Sequence, residues 1–199
     1  PAAGMADVFA DAARALPGVR LVGGVPCNTF HAPPVWDRFV ADLGTRAVHV
    51  ELVNMLREAA SQLATVVPRG TGKAPVIGVM STTGTRMVGV YDELLTGAGY
   101  RILYIPEKEQ PRLHDAIYNR SWGIKASTPV SDTAAGIVNG HADWLATHGA
   151  DAIILACTEL PLVLSSAVHR GVPLLDPVLA LARALIHKAA PGKLKPVTV

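Results

Sequence analysis

Val25-Pro26-Cys27-Asn28-Thr29-Phe30-His31 is answered much later in the chain by Leu155-Ala156-Cys157-Thr158-Glu159-Leu160-Pro161, and these two stretches hold the only two cysteines of the 199 residues. In each, an apolar run rich in Val, Ile or Leu stops at a cysteine, and small hydroxyl and amide residues follow. A buried parallel strand feeding a loop at its carboxyl end reads this way, and open α/β sheets build their sites at that end. The pairing predicts two similar halves, each presenting one thiol to a shared cleft.

Working outward, residues 3–16 place Met5, Val8, Phe9, Ala12, Ala13 and Leu16 at helical spacing before Pro17-Gly18. Residues 19–25 form the strand leading to Cys27, and 31–43 the helix after it, closed by Gly44. A strand is predicted at 46–50 and a helix over 51–67. Pro68-Arg69-Gly70-Thr71-Gly72-Lys73 carries Pro, Gly and charge without an apolar residue, and reads as a linker between domains.

Beyond it the pattern predicts a strand at 75–80, a hydroxyl-rich turn Ser81-Thr82-Thr83-Gly84-Thr85, a helix to about residue 98 and a strand at 100–105. Residues 107–119 read as helical, with Pro111 tolerated in the first turn. An irregular stretch over 121–129 carries Trp122 and Lys125. Ser131 or Asp132 caps a helix that Gly149 ends. Residues 151–156 form the strand delivering Cys157, with a helix from about Thr158 and a strand at 172–175. Asp176-Pro177 opens the last helix, and the tail after Pro191 reads as frayed.

The element order repeats, and the first copy lacks the opening strand-helix-strand of the second. The expected fold class is α/β, with two pseudo-symmetric domains of parallel strands and a cleft between them. Residues 1–70 are expected in the first domain and 71–173 in the second. A parallel sheet lacking its central strand exposes unpaired edges, which argues that this chain is a fragment of a longer protein.

Half of the residues are hydrophobic, 5% are aromatic and the formal net charge is +2, with Lys and Arg scattered. No nucleic-acid footprint is expected from that balance. No apolar run approaches the roughly 18 residues of a membrane span. With no basic-then-apolar opening, a cytoplasmic protein with free thiols is expected. Cys27 and His31 have no third close ligand in the sequence, so no metal site is expected.

Two facing thiols can remove a proton from one face of a carbon and return one to the other, if one enters as thiolate and the other as thiol. A strand-to-helix setting lowers a thiol pKa, which suits Cys157 to the role of base. Asn28, Thr29, Thr82, Thr83, Thr85 and Thr158 fall at strand-to-helix junctions, where N–H groups and hydroxyls can hold a carboxylate or merely cap a helix. Lys125 can pair with a second substrate carboxylate or lower a thiol pKa. Glu159 can orient the site or favour a helix N-terminus, and His31 can contact substrate or cap the next helix.

Pro26-Cys27-Asn28-Thr29-x-His31 and Cys157-Thr158-Glu159 resemble the paired signatures of the aspartate/glutamate (Asp/Glu/hydantoin) racemase family. The Ser81–Thr85 turn and Gly123-Ile124-Lys125-Ala126 resemble its aspartate racemase branch most closely. The resemblance implies two flavodoxin-like domains and a racemase of an acidic amino acid, aspartate or else glutamate, that needs no cofactor; the alternatives are a hydantoin racemase or dicarboxylate isomerase of the same fold, or a catalytically silent carboxylate-binding domain. Cys27 and Cys157 would be the acid/base pair. Asn28, Thr29, Thr82, Thr85 and Thr158 would bind the α-carboxylate and amino group, with Lys125 near the side-chain carboxylate. It also implies a homodimer with a small-molecule partner, and a last helix returning to the first domain, so that 174–199 rejoins 1–70. The family's opening strand, glycine-rich turn and a basic residue found there in some members have no counterpart in this sequence.

Overall fold

The computed structural model describes residues 1–68 and 72–195. Residues 69–71 of the expected linker and 196–199 of the tail lie outside the described residues.

The central pair of strands is β3 (Val76–Ser81) beside β5 (Ala152–Ala156), parallel and in register from Ile77↔Ala152 to Ser81↔Ala156. Both are buried nearly throughout, which is why they read as unbroken apolar runs rather than alternating ones. β4 (Arg101–Leu103) pairs with β3 on one side, and β7 (Val172–Leu175) with β5 on the other. β6 (Val168–His169) adds an antiparallel edge to β7, so the order is β4-β3-β5-β7-β6.

Successive side chains leave opposite faces of these strands. Ile77, Val79, Ala152, Ile154 and Ala156 enter one core, with Leu56, Ala59 and Leu63 of α3 (Met55–Val66), Leu95 of α5 (Asp92–Gly97), and Ala180 and Leu181 of α8 (Pro177–Ala189). Met80, Ile153, Leu155 and Cys157 enter the other, against α6 (Gln110–Tyr118) and α7 (Asp132–Thr147). Cys157 therefore continues the alternation of β5 and is buried by it.

A smaller sheet pairs β1 (Val22–Gly23) with β2 (Glu51–Leu52), also parallel. α1 (Ala2–Ala15) and α2 (Pro33–Thr45) cover it through Ala6, Phe39 and Leu43, joined by Phe30 from the 3-10 turn Thr29–His31. A Cβ on Gly24 would stand 2.8 Å from the Val53 carbonyl oxygen, so the close approach of these two backbones requires glycine, and the tip of Leu181 from α8 packs over the space it leaves. The last helix thus returns to the first sheet. Two parallel-dominated sheets with helices on their faces agree with the expected α/β class.

Several boundaries differ from the sequence reading. The expected strand at 46–50 lies later, at Glu51–Leu52, and the expected helix from 51 begins at Met55. Asn54 decides this: its side chain accepts from the N–H groups of Leu56 and Arg57, both at 3.1 Å, leaving Glu51 and Leu52 extended. The helix expected from the 81–85 turn to residue 98 is broken into α4 (Thr83–Val88) and α5 by Gly89, whose φ is +65°. No α-helix follows Cys157; a 3-10 turn at Leu160–Leu162 stands there, and the chain then enters the β6–β7 hairpin. Other signals held. Ser131 caps α7, Asp176 caps α8, and Pro111 sits in the first turn of α6.

Asn54→Ala removes both capping contacts of α3 and is expected to cost about 1 kcal/mol of stability. Urea denaturation followed by circular dichroism checks this, with the midpoint lowered and the slope unchanged.

Candidate functional site

The carboxyl ends of β3 and β5 open onto a small cleft of about 80 Å³. Cys27, Asn28 and Thr29 line it from the loop after β1, Thr82 and Thr85 from the start of α4, and Cys157, Thr158 and Glu159 from the loop after β5. Lys125 and Tyr118 complete the wall. Larger surface hollows, of about 770, 400 and 410 Å³, contain neither thiol.

The structure brings together nine of the eleven residues singled out in the sequence and leaves Thr83 and His31 outside the lining. Thr83 turns its N–H to His114 Nδ1 at 3.3 Å. His31 is buried behind the loop, bonded through Nδ1 to the Cys27 carbonyl at 2.9 Å and accepting at Nε2 from the Met55 N–H at 3.3 Å. That pattern fixes a neutral imidazole with its proton on Nδ1. Burial lowers its pKa, and the bond to the Cys27 carbonyl only partly opposes this. His31 ties the Cys27 loop to the start of α3.

Threonines join the two sides of the cleft. Thr29 Oγ1 and Thr85 Oγ1 lie 2.7 Å apart, Thr85 Oγ1 lies 3.0 Å from Thr82 Oγ1, and the Thr85 N–H donates to Thr82 Oγ1 at 3.3 Å. Thr82 is therefore both the cap of α4 and part of the wall.

The two thiols, both free, stand in unlike surroundings: Cys27 is exposed and Cys157 is 7% exposed. The Cys157 thiol donates to Glu159 Oε2 at 2.9 Å, and its pKa is pushed up to about 12, first by burial and then by the bond to that carboxylate. This overturns the expectation of a thiol made acidic by a helix: the helix is absent and an anion sits beside the sulfur. Cys157 rests as a neutral thiol.

Glu159 is the hub of the charges. Thr158 Oγ1 donates to Oε2 at 2.8 Å, and Lys125 Nζ lies 2.7 Å from Oε1. Burial pushes its carboxyl up, but the bonds from Cys157, Lys125 and Thr158 outweigh that and hold it below its ordinary value. The bond to Glu159 in turn raises the Lys125 pKa.

Lys125 is placed by a fold-back of the backbone. The N–H groups of Gly123, Ile124 and Lys125 reach the carbonyls of Asn119, Ala116 and Ile117 at 2.9–3.1 Å. A Cβ on Gly123 would lie 2.6 Å from the Asn119 nitrogen, so this close approach requires glycine. The Lys125 ammonium also sits 4.8 Å from the centre of the Tyr118 ring, a cation–π contact. Tyr118 stacks on His114 at 4.9 Å. Sequence reasoning missed Tyr118; an aromatic at the end of a helix, just before an irregular lysine-bearing stretch, is the signal that could have found it.

The sequence pattern of the family described as Asp/Glu/Hydantoin racemase matches residues 8–185, almost the whole chain. The chain belongs to this family. Solved structures of similar fold include an aspartate racemase homologue from Pyrococcus horikoshii OT3, with 22% identity, 94% of this chain and 75% of that one covered, and a TM-score of 0.62. A provisionally described Asp/Glu racemase from Yersinia pestis has 23% identity, 92% and 73% coverage, and a TM-score of 0.68. A glutamate racemase from Francisella tularensis, solved with D-glutamate, has 17% identity, 100% and 68% coverage, and a TM-score of 0.62. At these identities the likeness establishes the two-domain flavodoxin-like racemase fold. Among the described residues no helix is long and apolar enough to cross a membrane.

Iodoacetamide should label the exposed Cys27 faster than the enclosed Cys157, which should resist until well into the alkaline range. Glu159→Gln removes the anion that helps hold the Cys157 proton, so the pH midpoint of Cys157 labelling should move down, while burial keeps it above that of a free thiol. Peptide mass spectrometry across a pH series reads both sites.

Proposed function

We propose that this chain racemises an acidic amino acid, aspartate before glutamate, by passing protons between Cα and two thiols without a cofactor. The observation that carries the reading is that Cys27 and Cys157 line one cleft from two different parallel-strand ends, among polar groups suited to a carboxylate. The family assignment supports an isomerase acting on amino acids.

In one direction, the Cys27 thiolate takes the Cα proton and Cys157 delivers its thiol proton to the opposite face. Cys27 ends as thiol and Cys157 as thiolate, and the configuration is inverted. The protonated resting state of Cys157 supports this assignment. The reverse direction starts from that end state: the Cys157 thiolate takes the Cα proton and Cys27 delivers its thiol proton to the other face, which restores the first state. Glu159, 2.9 Å from the sulfur, accepts the hydrogen bond of the Cys157 thiol whenever it is protonated. Asn28 and the threonine hydroxyls would hold the α-carboxylate and stabilise charge that develops next to the carbanion. Lys125 would turn from Glu159 to the side-chain carboxylate.

One observation favours a second reading. The Glu159 carboxylate already neutralises Lys125, so that arm of the cleft carries no free positive charge. An uncharged ring amide such as a hydantoin would meet less electrostatic opposition there than a dicarboxylate.

The test is deuterium incorporation from solvent at Cα of L- and D-aspartate, L- and D-glutamate and a 5-substituted hydantoin, with chiral analysis of the product. Exchange with inversion of aspartate, abolished in both Cys27→Ser and Cys157→Ser, is the expected result. Turnover of the hydantoin alone would transfer the assignment to the second reading, and exchange with none of them would defeat both.

A further inference from the structure

Behind the cleft wall, Tyr91 stands immediately before α5 with its side chain in the core shared by α3, β3 and β5. It is 1% exposed, and its phenol O–H donates to Asn28 Oδ1 at 2.6 Å. Asn28 is itself 3% exposed and lines the cleft. The other end of its carboxamide, Nδ2, is buried and has no hydrogen-bond partner. A buried amide with its oxygen satisfied and its NH2 group bare is an uncompensated cost unless a ligand recovers it.

The hydrogen bond decides which end faces the cleft. Turning the amide over would set its NH2 against the phenol and leave the Tyr91 proton, deep in an apolar core, facing a donor instead of an acceptor. It would also aim a carbonyl oxygen at any incoming anion. Tyr91 thus favours a single orientation of Asn28, with the NH2 group free for the cleft.

We infer that Tyr91 is a positioning residue, whose hydroxyl clamps the Asn28 amide so that Nδ2 donates to an anionic oxygen of the bound ligand. The ligand's identity as a carboxylate rests on the function proposed above; the clamp itself rests on the Tyr91–Asn28 geometry. The tie also crosses the chain, joining residues 63 apart in sequence.

The test titrates L-aspartate into the parent, Tyr91→Phe, Asn28→Ala and the double variant by 15N–1H NMR, reading the Asn28 side-chain NH2 signals and the dissociation constant, with thermal midpoints measured beside them. In the parent the NH2 pair should shift on saturation. Tyr91→Phe should weaken binding about tenfold, the scale of one lost hydrogen bond to a charged group, and the double variant should bind no more weakly than Asn28→Ala. In turnover, Tyr91→Phe should raise KM and leave kcat nearly unchanged. A merely structural Tyr91 would lower the midpoint and leave affinity intact; that result, or additive losses in the double variant, overturns the clamp while leaving carboxylate binding in place.

Asn28→Asp serves if Tyr91→Phe fails to fold. It keeps an acceptor for Tyr91 but replaces the donor by an anion, so undiminished L-aspartate binding there overturns the inference. A folded parent that binds neither L-aspartate, D-glutamate nor succinate removes the proposed function and this inference together, and does so before any substitution is made.

Discussion

The parallel pairing of β3 with β5 is the constraint on which the rest of this molecule depends. Its register sets Ser81 opposite Ala156, so the next residue of each strand, Thr82 and Cys157, emerges at the same edge. A slip of one residue would exchange the two faces and move the thiol into the opposite core. Burial on both faces forbids that slip, because Ile77, Val79 and Ile154 fill one core while Met80, Ile153 and Leu155 fill the other. The chemistry at the strand ends is therefore held in place by packing many residues away.

On that frame, environment makes two like side chains unlike. Cys27 lies exposed on a loop tied down by His31, whereas Cys157 is enclosed and shares its proton with a carboxylate. Low dielectric and a neighbouring anion act together at Cys157, both favouring the neutral thiol. Lys125 offsets the anion, and Tyr118 supports Lys125 from beneath. The asymmetry suits a reaction that needs one proton donor and one acceptor at the same moment.

Much of this was legible in the sequence, where the signal was local. The apolar run ending at Cys157 marked the end of β5, whereas the strand expected over 19–25 is only Val22–Gly23 and stops short of Cys27; Ser131, Asp176, Pro111 and Gly149 marked helix ends where the structure has them. Nine of the eleven chosen site residues meet in one cleft because each belonged to a strand-end loop or to the irregular stretch around Lys125. The failures share a cause: they turn on partners distant in sequence or on one residue's conformation. Val48 and Val50 are as strand-like as Glu51, and only pairing with Val22 and the Asn54 cap set the true register. Gly89 breaks a helix by adopting a positive φ that no periodicity reveals. The raised pKa of Cys157 needed a carboxylate turned back onto the sulfur, and the role of Tyr91 needed an amide 63 residues away.

The walls of the cleft are stitched by two hydrogen bonds of long span, Thr29 to Thr85 and Tyr91 to Asn28. Neither belongs to a sheet ladder. Tyr91 is rooted in the core behind β3 and β5, but only its phenol tip makes the tie to Asn28, so either tie can part without breaking the ladder of the main sheet. Partial opening of this kind is the cheapest excursion available to a folded chain. Parting them would pull Cys27 away from Cys157 and release the Asn28 amide at once. The spacing of the two thiols can thus change below the threshold of unfolding, as a breathing motion between the strand-end loops.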